Sequence, residues 1–243
     1  MTTNWFEGPL AALCTRATGA DPETDRMVSA SVVVQDAPGV RPRVTRWLVN
    51  PGVPVPPEAT AAQGLTEEQL RRNGRWPAPV MAEVAHELQT RAGAGLPLVV
   101  MDAPFDLTLL DRELGRHRSS SLAAWFGPVP LLVLDPHVLD RHLDRYRKGR
   151  RARADLCRHY GVTTQGAQDA AADALASLEV VRALGRRFAS RLERLTPAEL
   201  HGQQALWHAA QARGPQTWFG RGTPSGTRAG HWWPLRPALP TAA

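Results

Sequence analysis

Cysteine is scarce in this chain: Cys14 and Cys157 are the only two among 243 residues, and they show no metal-like spacing. That excludes a disulfide framework and a cysteine-rich metal fold, and both side chains read as plain thiols. No apolar run approaches the roughly 20 residues needed to cross a bilayer, and the N-terminus lacks the basic start and apolar core of a secretion signal. The expectation is a soluble cytoplasmic protein with no membrane partner. Acidic residues stop at Glu199, and residues 214–243 hold Pro, Gly, Arg and Trp instead. Such a composition predicts an irregular tail, whose Trp218, Trp232 and Trp233 would pack back on the domain or stack on bases, with packing the preferred use.

The length suits one sizeable core plus a tail. A net charge of +6 and a pI near 10.5 permit a polyanionic partner without establishing one. The centre of the chain is Leu98 to Leu114, LVVMDAPFDLTLLDREL. Its apolar start reads as a strand covered on both faces. Asp102 is then expected to cap a helix that has Pro104 in its first turn and Phe105, Leu109 and Leu110 facing the core. Asp106 falls near the carboxyl end of that strand, where open α/β sheets place ligands.

Before this centre, strands are predicted over residues 9–15, 27–35 and 43–49, then a capping box at Thr66 and Gln69, then a helix over 81–91. After it come a strand over 129–134 with Asp135 and Pro136 opening the next helix, an Ala-rich helix over 167–184, and a second capping box at Thr196 and Glu199. Strands first, then alternating β and α, predict an α/β fold with a mixed sheet. Residues 141–153 carry seven Arg or Lys in thirteen positions. Arg145, Arg147, Lys148, Arg150 and Arg151 are candidates for phosphate contact, weighed against a solvated loop and helix end, which is the favoured reading.

The order of motifs resembles the DEDDh-type 3′-5′ exonuclease family, which includes the proofreading epsilon subunit of DNA polymerase III and ribonuclease T. LCTRATG at Leu13 to Gly19 stands where that family has Phe-Asp-x-Glu-Thr-Thr-Gly. MDAPFDLTLL matches its Asn-x-x-Phe-Asp motif, QDAAADA at Gln168 to Ala174 matches His-x-Ala-x-x-Asp-Ala, and AAQGLT at Ala61 to Thr66 matches a His-Gly-Ile-Thr turn with Gln63 in the histidine slot. The resemblance implies a ribonuclease H-like fold with a five-stranded mixed sheet and helices on both faces. It covers residues 8–195 as an exonuclease-like domain; with the Thr196 capping box and the composition of the end, the chain divides into a tail over 1–7, that domain, a C-terminal helix over 196–213 and the irregular tail over 214–243.

The family's activity needs Mg or Mn held by four carboxylates, with a histidine as general base. Residue by residue, the carboxylate slots here are Cys14, Arg16, Asp106 and Asp173, and the base slot is Gln168. Magnesium has little use for a thiol, and an amide takes up no proton near neutral pH. A guanidinium about 5 Å from a divalent ion would repel it by roughly 6 to 7 kcal/mol at an effective dielectric of about 20. No cofactor is therefore expected; if any metal binds, Asp106 and Asp173 are its ligands. Arg16 is expected to reach the carboxylates of both. Three readings follow: an exonuclease-like protein that has lost hydrolysis and binds single-stranded nucleic acid, a residual one-metal exonuclease, and a protein interaction module using the tail. No protein partner is named by the sequence.

Overall fold

The structure, a computed structural model, describes residues 4–163, 169–213 and 232–237. Strands β1 (Leu10–Ala17), β2 (Met27–Gln35) and β3 (Arg43–Leu48) form an antiparallel meander. β2 is buried along its whole length, which is why it reads as an almost unbroken apolar run. β3 is the edge, and its exposed Arg43 and Arg46 discourage pairing with another chain.

Helices α1 (Pro57–Gln63), α2 (Glu67–Asn73) and α3 (Pro77–Gly93) follow. The capping box of Thr66 and Gln69 opens α2 as expected. α3 starts earlier than the pattern of apolar residues indicated, because Pro77 serves as a first-turn residue that needs no N–H partner. β4 (Leu98–Val100) then runs parallel to β1 and leads into α4 (Ala103–Arg118) and α5 (Leu122–Phe126).

The next strand, expected over 129–134, is only β5 (Val133–Leu134). Pro130 has no N–H for the ladder and breaks it. What remains of this edge is completed by a helix: Val133 N–H donates to His201 Nδ1 at 3.0 Å, Gln204 Nε2 donates to Val133 O at 3.1 Å, and Asp135 N–H donates to Gln204 Oε1 at 2.8 Å. The remaining helices are α6 (Pro136–Leu143), α7 (Arg153–Tyr160), α8 (Ala170–Arg187), α9 (Ala189–Leu192) and α10 (Pro197–Ala212), the last opened by the expected Thr196 and Glu199 box.

The sheet order is β3-β2-β1-β4-β5, a five-stranded mixed sheet. Side chains alternate along β1. Leu13 and Ala17 enter a core shared with α3 and α4, whereas Leu10, Ala12 and Cys14 enter a second core built on α8. On that second face Arg182, fully buried, donates to Phe6 O at 2.6 Å and to Gln35 Oε1 at 3.1 Å, so the N-terminal turn Trp5–Glu7 is pinned to the sheet. Gly185 makes room for it, since a Cβ there would lie 2.4 Å from Phe6 Cγ.

The described part of the tail packs rather than projecting. Trp233 and Leu235 lie on the α3/α4 core, Trp233 is 4.9 Å from the His201 ring, and Arg112 donates to Pro237 O at 2.6 Å. Trp232 is exposed, and Trp218 falls outside the described residues. Among the described residues no helix is long and apolar enough to cross a membrane.

Candidate functional site

β1 ends between two helices, and its alternation decides what each residue meets. Thr15 faces α4, where its N–H (3.4 Å) and its hydroxyl both donate to Asp106 Oδ1. Its neighbours face α8. There Arg16 Nη2 donates to Asp173 Oδ2 at 2.9 Å. Arg153, the first residue of α7, reaches the same oxygen at 2.6 Å. Asp173 is thus clamped by two guanidiniums, and Asp106 is held by a threonine. The expectation that Arg16 bridges both acids is met only at Asp173, because Asp106 lies on the other side of the strand.

Burial pushes the Asp106 carboxyl up to about 7, against the lowering effect of the Thr15 hydroxyl. The Cys14 thiol is likewise pushed up by burial first, and then by the charge of Asp106. Gln63, at the end of α1, donates from Nε2 to Ala17 O and accepts from Arg16 Nη1 at 3.2 Å, tying the α1 turn to the strand. Gln168 lies outside the described residues.

Asp102 does not cap α4. It adopts a left-handed conformation, with φ 62° and ψ 52°, and its side chain makes no capping bond. The cap comes from Asp135, whose carboxylate accepts from Ala103 N–H at 3.1 Å and from His137 N–H at 2.8 Å. One buried carboxylate therefore starts both α4 and α6. Asp102 instead lines the groove.

That groove, of about 1090 Å3, runs over the carboxyl ends of β1 and β4 and is lined by Cys14, Arg16, Asp106, Arg153 and Asp173 among others. Met101, Phe105, Cys157 and Arg158 complete its walls. Sequence reasoning had placed Arg153 in a general basic run and had missed Thr15. A cation at the first position of a helix opposes the helix dipole, which marks Arg153 as needing a carboxylate partner.

The basic run itself divides. Asp140, fully buried, takes Arg147 at 3.3 Å, Arg151, and the Tyr160 hydroxyl at 2.6 Å. Arg145, Lys148 and Arg150 stay exposed. Two of the five candidate phosphate contacts are therefore engaged inside the fold.

The donor set does not fit a pair of divalent ions. Among the described residues no group of three or more His, Cys, Asp or Glu side chains is placed to hold a metal. Asp173 already carries two cations, and β1 presents the Cys14 thiol to the groove where a hard oxygen would be needed.

Comparison with known proteins agrees with the architecture. The chain superimposes on a moderately thermophilic exonuclease I from Methylocaldum szegediense with a TM-score of 0.66 and 19% identity, over 84% of this chain and 45% of that one. The fold is that of exonuclease I. The exonuclease I of E. coli in complex with a dT13 oligonucleotide gives a TM-score of 0.59 at 17% identity, over 76% of this chain and 42% of that one. A DNA polymerase III subunit epsilon-like protein of Rhodobacter capsulatus is 38% identical over 84 residues, 35% of this chain and 11% of that protein. The architecture is thus the one that the resemblance implied, and the sequence match extends over about a third of the chain, while the chain spans less than half the length of these exonucleases. No family model matches the chain.

Proposed function

We propose that this chain is a catalytically silent, cytoplasmic, exonuclease-like protein whose residues 8–195 hold single-stranded nucleic acid without cutting it. The observation that carries this reading is the Asp173 carboxylate shared between Arg16 and Arg153. A carboxylate paired with two guanidiniums is already neutralised, and a divalent ion would have to displace at least one of them. Asp106 has no second acid beside it on β1, and Gln168 stands where a proton acceptor would be required. Phosphodiester hydrolysis then lacks its metals, its base and half of its ligands.

Binding needs none of these. Arg153 and Arg158 supply positive charge along the groove, and Phe105 and Met101 supply apolar wall. The crystallised complex of the E. coli exonuclease with a single-stranded oligonucleotide supports this class of ligand for the fold. The packing of Trp233 and Leu235 against the core leaves these two side chains engaged inside the fold rather than offered to a protein partner.

The test is degradation of a 3′-labelled single-stranded oligonucleotide in manganese. The native chain is compared with a variant carrying Cys14→Asp, Arg16→Glu and Gln168→His. The native chain should be silent and the variant should cut. Cutting by the native chain that disappears in Asp173→Ala would overturn the reading and show that metals are held another way.

A further inference from the structure

The segment between α6 and α7, Asp144 to Ala152, is built as a platform rather than left as a loose charge run. Arg147 donates to Asp140 from Nε and Nη2, both at 3.3 Å, and from Nη1 to Arg150 O at 3.1 Å. Arg151 donates to the same carboxylate, and from Nη2 to Asp144 O at 2.9 Å and Arg147 O at 3.1 Å. These two side chains are 9% and 15% exposed, so they act as staples and give the segment one shape. Gly149, at φ +95°, takes the turn that an L side chain would resist.

The stapling turns a different set of side chains outward. Tyr146 is 84% exposed, more than any other large hydrophobic residue among the described ones. The Arg145 guanidinium lies over its ring, 4.9 Å from the centroid, and Lys148 and Arg150 are exposed beside it in sequence. A fold gains nothing from an aromatic ring held in water, but a ring with a cation on one face keeps its other face open for stacking. The segment also continues into the groove: its last residue, Ala152, and the following Arg153 and Ala154 form part of the groove wall.

We propose that Tyr146 is a base-stacking platform for single-stranded nucleic acid leaving the groove, with Lys148 and Arg150 taking its phosphates. The proposal rests on the reading that the groove holds such a strand, and it adds where the strand goes next. Base–aromatic stacking suits any sequence, because every base has a π-face. An acidic protein segment would use the same cations but would have no need of the ring.

The experiment is fluorescence anisotropy of the full chain with a labelled dT oligonucleotide in excess EDTA, repeated with an abasic oligonucleotide of equal length. Tyr146→Ala should weaken binding of the dT strand by roughly 5- to 100-fold, Tyr146→Phe should leave it unchanged, and the two variants should bind the abasic strand alike. The salt dependence should survive Tyr146→Ala and become shallower in Lys148→Ala with Arg150→Ala. Equal binding of dT by native chain and Tyr146→Ala overturns the platform while the groove stands, provided that Arg153→Ala still weakens the complex. Failure of the native chain to bind dT overturns both readings. Competition by polyglutamate that is as strong in Tyr146→Ala as in the native chain, with no loss of dT binding, would assign the surface to an acidic protein.

Discussion

Two carboxylates in this protein are each held by two arginines, and they do opposite work. Asp140 sits at 0% exposure with Arg147, Arg151 and Tyr160 around it, all from one stretch of chain within twenty residues. Asp173 lies in the groove wall, its side chain 21% exposed, and gathers Arg16 and Arg153 from β1 and α7. The same three groups therefore make a staple in one place and part of the groove wall in the other. Exposure decides which. A fully desolvated charge is committed to its partners, whereas a partly wet one can exchange them for a ligand's phosphate.

The largest expected effect separates the two directly. Asp140→Asn removes the carboxylate that, among the described residues, alone pairs with two nearly buried guanidiniums, and should cost about 3 to 5 kcal/mol, the range found on breaking a buried ion pair. In a chain of this size that lowers the melting temperature by roughly 6 to 20 °C. Asp173→Asn should cost less, about 1 to 2 kcal/mol, since water reaches the carboxylate and Arg153 even though Arg16 is nearly buried. Thermal unfolding of both variants in one buffer checks this. Equal losses would mean that the groove pair is as structural as the staple.

Next in size is the pH dependence set by Asp106. Its carboxyl, buried and held at about 7, keeps a proton that the unfolded chain gives up near 4. The folded state therefore binds more protons between those values, and stability falls as pH rises from about 4 to about 7, by at most about 4 kcal/mol. Above 7 this contribution is flat. Asp106→Asn should be less pH-sensitive across that window and more stable than the native chain at pH 8, as read by denaturant midpoints. Some slope should persist, because burial also raises Asp135. A variant no more stable than the native chain at pH 8 would show that Asp106 is charged and solvated.

How much of this was legible in the sequence follows the range of each interaction. Capping boxes at Thr66 and Thr196 are written within four residues and were found as expected. The strand–helix centre around Asp106 and the Ala-rich helix around Asp173 are short periodic patterns, and in the structure both acids bond to residues of β1. The pairing of Arg153 with Asp173 joins residues twenty apart on two different helices, and the shared cap of Asp135 joins α6 to α4 across the sheet. No local pattern specifies such contacts. Thr15 was readable in principle: alternation puts it on the face opposite Cys14 and Arg16, the face covered by α4, which carries Asp106 in its first turn. The shortened β5 was also readable, since Pro130 stood inside the expected strand.

The smallest expected effect is an absence of change, and it tests the groove pair hardest. Millimolar magnesium or manganese should leave the melting temperature of the native chain where it is. In the variant with Cys14→Asp, Arg16→Glu and Gln168→His, a metal present at about a hundred times its Kd should add about 2.7 kcal/mol, a shift of several degrees. The contrast arises because Arg16 is both a lost ligand and a resident cation. Exchanging it for a carboxylate changes the local charge by two and leaves Asp173 needing a new partner beside Arg153. A shift in the native chain would mean that a metal competes successfully with two guanidiniums for one carboxylate, and the distinction between groove wall and staple would then rest on Asp140 alone.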